Sequence, residues 1–299
     1  MLKKIWKNKF DIVNGALLIV MTCLFLYPLY FTVVASFSDP YEVVSGNVTF
    51  WVRKFTTEGY MHVMSNVRIW RGYWNAMIYT VLGTLLNLFF TIPAAYALSK
   101  KNLWKRNIMI TYFVIPMYFG GGLLPTYLQI KSLGLLNQPY TLIVLGGISV
   151  YNVLVTRTYF QSSISETLFE AAEIDGCPQI KQFLYIAVPL AKPVIAVITL
   201  YYAVGHWNDF YTALVYVSED DYQPLQTVLR SILMQSQRMA SLRDSHTTDE
   251  ELQYILHLQY LSEGMKYAVI FISSLPMLIA YPFVQKYFVK GVMVGAVKG

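Results

Sequence analysis

The sequence predicts an all-α integral membrane protein with six transmembrane helices and both termini in the cytoplasm. Three observations carry this expectation. Apolar residues make up 56% of the 299-residue chain and charged residues only 13%, whereas a soluble domain carries about 25% charged residues. Six apolar runs are long enough to cross a bilayer. The basic residues gather on alternate connections between them.

A run of roughly 18 residues without charge can span the hydrocarbon core as a helix, and in lipid the helix satisfies its own backbone. Charge-free runs cover 12–38, 72–99, 107–130, 132–156 and 267–285. A sixth, 193–218, contains only Asp209. The first run follows the basic segment Met1-Leu2-Lys3-Lys4-Ile5-Trp6-Lys7. It is too long for the core of a signal peptide and lacks a small-residue cleavage site, so it reads as a retained helix.

Lysine and arginine set the orientation. With the N-terminus inside, the inner segments are 1–11, 100–106, 157–192 and 286–299. They hold 14 basic and 5 acidic residues, against 9 and 12 elsewhere. The formal charge of +6 is then a topology signal rather than the mark of a nucleic-acid partner. The negative outer face argues against strong attraction of polyanions. The organisation expected is a cytoplasmic N-terminus with the first helix (1–38), an extracytoplasmic loop (39–71) and a core (72–299). The core contains a cytoplasmic loop at 157–192, an outer loop at 219–266 and a cytoplasmic tail at 286–299. Outer loops this long usually carry a role, and a partner outside the membrane is one. The third run is irregular, with Pro116, Gly120-Gly121-Gly122 and Pro125. It predicts either a kinked packing helix or a cavity wall.

Sites for chemistry are scarce. Cys23 and Cys177 lie far apart, and His62, His206, His246 and His257 form no metal-ligand spacing. No glycine-rich phosphate loop with lysine and serine or threonine occurs, and Gly120-Gly121-Gly122 lacks the lysine. Any ATP must therefore bind to another chain.

Segment 157–192 carries the strongest signal. Ser163-Ile164-Ser165-Glu166 fits a capping box that would open a short helix. Ile164, Leu168 and Ala172 then share one face at spacing four. Asp175-Gly176 closes the helix, with glycine suited to a left-handed cap. Pro178 can open a second helix, and Pro189 and Pro193 mark entry to the fifth span. The expected result is a helix-turn-helix outside the membrane.

These residues resemble a known family. Glu170-Ala171-Ala172-Glu173-Ile174-Asp175-Gly176, then Phe183, Ile186, Pro189 and Pro193, look like the EAA loop of importer-type ABC permeases. Cys177 and Val188 stand where alanine and leucine are usual. Trp207-Asn208-Asp209-Phe210 resembles a signature of carbohydrate-uptake permeases. The tail Gln285 to Gly299, with Val289-Lys290-Gly291, resembles the maltose-permease type, nearest to permeases for aldouronates and pectin fragments.

The resemblance implies a type I ABC importer permease fold with cytoplasmic coupling helices, in a bacterial plasma membrane. It also implies no catalysis and no cofactor in this chain, with ATP and magnesium held by a partner ATPase dimer. A homologous second permease and an extracytoplasmic sugar-binding protein would complete the importer, and an oligosaccharide would be its cargo. Glu170, Ala171, Ala172, Asp175, Gly176, Phe183 and Pro189 would then couple to the ATPase. Trp207, Asn208, Asp209 and Tyr211 are candidates for the sugar path, because an acid inside an apolar run is costly and commonly faces protein or a wet cavity. Tyr151 and Asn152 are further candidates, with packing the competing role for all six. Three rival readings are an enzyme within the membrane, for which Asp209 is the one acid available in the spans, an importer of the same design for a non-sugar solute, and an ion-driven secondary transporter. The last would show paired broken helices, and no repeat between the halves is evident.

Overall fold

The computed structural model describes residues 2–242 and 249–296. Residues 297–299 of the expected tail and 243–248 of the expected outer loop lie outside the described residues. Helices follow one another along the chain. They are α1 (Leu2–Ser36), α2 (Pro40–Val44), α3 (Glu58–Ser65), α4 (Val67–Ser99), α5 (Arg106–Tyr118), α6 (Leu123–Ser132), α7 (Thr141–Val144) and α8 (Val150–Ser163). Then come α9 (Glu166–Ile174), α10 (Gln179–Gln182), α11 (Val188–Leu190), α12 (Lys192–Trp207), α13 (Tyr211–Tyr216), α14 (Leu225–Leu242) and α15 (Asp249–Ala296). Among the described residues the only β pairing outside a named strand is one bridge, Ser38 to Phe55.

Three stretches are long and apolar enough to cross a bilayer: Phe10–Ser36, Val67–Ser99 and Leu258–Pro282. Two bent pairs add a span each if counted whole. One is α5 with α6, bent by 112°, and the other is Gln179–Leu190 with α12, bent by 79°. The first bend falls at Phe119–Gly122, where the glycine triplet sits and Gly122 has φ +84°. The second falls at Ala191, between Pro189 and Pro193. The run 132–156 is divided rather than continuous. Gly134 (φ +68°), Asn137 (φ +60°) and Gly146 (φ +76°) take left-handed backbone that a helix cannot contain. The run thus holds a turn, the short α7, a break at 145–149 and the start of α8.

The chain separates into two compact units. The first comprises Met1–Trp70 and Leu229–Leu275. Val34, Ala35, Val43 and Val48 form its small core, with Phe31 and Tyr267 packed against it. Phe37 stacks on Phe55 and Tyr60, with ring centroids 5.8 and 4.9 Å apart. Lys54 pairs with Glu42 at 2.7 Å. Helices α3 and α15 touch where two glycines face each other. A Cβ at Gly59 would lie 2.2 Å from the Gly264 carbonyl oxygen. Segment 39–71, expected as an outer loop, thus contains α2, α3 and the start of α4.

The second unit comprises Arg71–Val228 and Pro276–Gly299. Ala95, Tyr96, Leu98, Val153, Phe160, Ala187, Ala191 and Ile198 lie at its core. α4 supplies a buried polar stripe at Thr80, Thr84, Asn87 and Thr91. The outward faces are strongly apolar, with Leu82, Leu85 and Phe89 exposed on α4. Lipid makes such a surface stable where water would not.

Candidate functional site

The segment 157–192 folds as a hairpin of short helices between α8 and α12. The proton-donating groups of α8 first secure α4. Arg157 Nε donates to the Leu98 carbonyl at 3.0 Å and Gln161 Nε2 to the Ser99 carbonyl at 3.1 Å. These carbonyls end α4 and have no helical partner of their own.

α9 begins two residues later than the capping box predicts. Ser163 still belongs to α8, Ile164 is extended, and Ser165 is the N-cap. Its hydroxyl lies 2.8 Å from the Thr167 hydroxyl and makes no capping bond. Ile164 and Ala172 are buried, but Leu168 is exposed. The ring of Phe169, packed against the core, takes the inward role that spacing four assigns to Leu168.

The end of α9 is as expected. Gly176 has φ +70°. Its N–H donates to the Glu173 carbonyl (3.0 Å), and the Cys177 N–H donates to the Ala172 carbonyl (2.8 Å). This is a Schellman cap. Pro178 is the N-cap of α10. The buried Gln182 ties the turn by donating from Nε2 to the Cys177 carbonyl at 2.9 Å. From Phe183 to Ala187 the backbone widens into one π turn, with the Val188 N–H reaching the Phe183 carbonyl. Pro189 follows, and its missing N–H cannot restore the ordinary register. π turns of this kind are frequent at functional sites.

The sequence-predicted coupling residues therefore gather on one hairpin. Glu170, Ala171, Asp175, Gly176 and Pro189 are exposed, Ala172 is buried and Phe183 is half-buried. The tip is apolar as well as acidic, with Ile174 87% and Ile180 73% exposed. A cleft of about 460 Å³ runs between the hairpin and the end of α4, lined by Tyr96, Lys100, Glu166, Phe169, Glu170 and Phe183 among others. Lys101 bridges it to Glu166 at 2.5 Å. Burial beneath the hairpin pulls the Lys100 ammonium below its ordinary value, against the opposing pull of Glu173 and Glu166.

The residues expected along a sugar path scatter. Trp207 is 2% exposed and meets Tyr73 edge-on at 5.7 Å. Asn208 ends α12 and donates from Nδ2 to the Val204 carbonyl at 3.0 Å. Asp209 Oδ1 accepts from the Thr212 N–H at 3.0 Å, which caps the first turn of α13. Tyr211 and Tyr151 are exposed, and Asn152 is buried. Of the six, Trp207, Asn208 and Asp209 have packing or capping roles within the chain, Asn152 is buried, and Tyr211 and Tyr151 are exposed.

A polar brace escapes sequence reading. The break at 145–149 leaves backbone groups without helical partners, and two neighbouring helices satisfy them. Asn87 Nδ2 donates to the Gly146 carbonyl at 2.7 Å, while its Oδ1 meets His206 Nε2 at 2.7 Å. The Ser149 N–H donates to the Tyr202 hydroxyl (3.1 Å), which lies 2.7 Å from the Thr91 hydroxyl. Asn87 and Thr91 at spacing four on α4, with Tyr202 and His206 at spacing four on α12, were the signal available.

A protein-family model described as "Binding-protein-dependent transport system inner membrane component" matches residues 65–294. Protein LplC of Bacillus subtilis (strain 168) is 38% identical over 290 residues, 97% of this chain and 95% of that protein. The polygalacturonan/rhamnogalacturonan transport system permease protein YtcP of the same strain is 34% identical over 297 residues, 98% of this chain and 100% of that protein. Among solved structures, a bacterial ABC transporter involved in import of the acidic polysaccharide alginate contains a chain that superposes with TM-score 0.81. That chain is 32% identical, and the match covers 94% of this chain and 97% of that one.

Proposed function

Since the chain belongs to the family of binding-protein-dependent transport system inner-membrane components, we propose that it forms half of the translocation pore of an ATP-driven oligosaccharide importer. The family is that of permease subunits in the inner membrane, which hydrolyse nothing themselves and work with an ATPase and a binding protein. The finer reading has six spans, cytoplasmic termini and a homologous second permease completing the pore. Hairpin 157–192 is the docking element for the ATPase. The observation that carries this is its tip, where Ile174 and Ile180 stand exposed beside the acidic Glu170 around a rigid Schellman turn. Apolar side chains held in water on a fixed turn are a contact surface in search of a cleft.

The cargo we assign is an oligosaccharide containing uronic acids. Support comes from two relatives above 30% identity, whose named cargoes are polygalacturonan/rhamnogalacturonan and alginate. Selection of the charged sugar falls to the binding protein, since the outer segments of this chain are net acidic. The ATPase closes on ATP, moves the hairpin and swings the spans as rigid bodies between two states.

The test is a gentle-detergent pull-down from native membranes, followed by uptake of labelled trigalacturonate and of a neutral trisaccharide. Recovery of a second permease, an ATPase and a binding protein, with ATP-dependent uptake of the acidic sugar, is the expected result. An isolated chain that transports without ATP would sink the importer reading. A complete complex that takes only the neutral sugar would sink the cargo alone.

A further inference from the structure

The last turn of α4 and the hairpin meet through aromatic rings. Tyr96 is 8% exposed. Its ring lies 5.6 Å from Phe160 on α8, 5.9 Å from Phe169 on α9 and 5.1 Å from Phe183 in the π turn. One side chain thus touches the end of α8, the hairpin helix α9 and the π turn that follows α10. One turn on, Lys100 Nζ sits 3.5 Å from the Phe169 ring centre and 5.0 Å from that of Tyr96. The contact is geometrically tight and partly shielded from water, the condition under which a cation–ring contact gains strength. By contrast, the neighbouring Lys101–Glu166 pair is 70% and 55% exposed, and exposed pairs contribute little.

We propose that Lys100, seated on Phe169 and braced by Tyr96, is a positioning residue that transmits movement of hairpin 157–192 to α4. The proposal rests on the reading of that hairpin as the ATPase-docking element. Its physical content is a joint. Without the ammonium, the hairpin still folds on its Schellman turn and still offers Ile174, Ile180 and Glu170 to a partner. What is lost is the lateral hold of α9 on the end of α4, so ATPase closure moves the hairpin and leaves the span behind.

The experiment uses the whole complex in lipid nanodiscs, with its ATPase and its co-purifying binding protein loaded from a pectin digest. Three quantities are read: ATPase retained, basal hydrolysis, and the fold by which loaded binding protein stimulates hydrolysis. Lys100→Met should keep the ATPase bound and basal hydrolysis unchanged, while stimulation falls by about threefold to tenfold, the range for losing a partly desolvated cation–ring contact. Lys100→Arg, which can stack on the same rings, and Tyr96→Phe, which keeps the ring, should both retain stimulation. Lys101→Ala should change nothing. Full stimulation in Lys100→Met, or equal loss in Lys100→Arg, would overturn the proposal. So would loss of the ATPase from the Lys100→Met complex, which would make Lys100 a docking residue. No ATPase beside the wild-type chain would instead overturn the functional reading beneath it.

Discussion

At Gly83 the absence of a side chain makes room for a ring. A Cβ there would lie 2.5 Å from two atoms of the His206 imidazole. That ring cannot simply swing aside, because its Nε2 holds Asn87 at 2.7 Å. Gly83→Ala should therefore destabilise the protein by about 1–3 kcal/mol, the usual cost of overpacking. Thermal unfolding in detergent reads it, and adding His206→Ala should recover part of the loss. A melting temperature unmoved by Gly83→Ala would mean the ring is free to leave. Gly176 answers to a different constraint, since nothing surrounds its Cβ position but its φ is +70°. Gly176→Val should strain the turn by at least about 1–2 kcal/mol and weaken ATPase retention, while Gly176→Asn should keep most of it. Equal retention in both variants would show that the left-handed turn is dispensable.

A third residue-scale prediction concerns pH. The hydrogen bond from Lys54, then that from Asn47, holds the Glu42 carboxyl below the usual carboxylate range. A carboxylate depressed in the fold stabilises it above the unfolded pKa, and the contribution fades as pH falls through the folded value. Wild type should therefore melt above Lys54→Met at neutral pH, with the gap closing below about pH 4. A gap that persists in acid would assign the effect to packing of the lysine stem.

At the scale of elements, the sequence is legible where one residue type has one physical use. The Asp175-Gly176 stop, the Pro178 start and the glycine triplet bend are of that kind, and each stands where the residues place it. The start of α9 is not, because three serines, Ser162, Ser163 and Ser165, compete for the cap and tertiary packing of Ile164 chooses among them. Hydropathy also fails at 132–156. An apolar run registers as a span whether or not its backbone is broken, and only the partners of the break distinguish the two. Those partners are Asn87, Tyr202 and His206, 50 or more residues away in sequence. Asn87→Leu and Tyr202→Phe should each cost about 0.5–1.5 kcal/mol by removing the partner of a part-buried backbone group. The loss should appear as lower thermal stability and as faster protease cleavage near Gly146. An ordinary melting curve for both variants would mean that water reaches the break and replaces them.

For the whole molecule, the charge to test is one with no partner among the described residues. Glu170 is exposed, lines the cleft beside the hairpin and has no hydrogen-bond or ion-pair partner among the described residues. If the hairpin docks the ATPase as proposed, this carboxylate gains most by pairing with a cation on the facing protein. Reversing its sign then leaves two cations face to face, and breaking a desolvated pair costs about 2–5 kcal/mol. Glu170→Lys should accordingly insert and fold as wild type, by gel filtration in detergent, yet retain the ATPase at least about tenfold less well. Glu170→Gln, which keeps shape and loses only charge, should fall between the two. The ranking separates electrostatic docking from mere crowding of the cleft. If Gln and Lys are equally defective, the carboxylate acts through a specific hydrogen bond, and if both dock normally, Ile174 and Ile180 carry the contact without it.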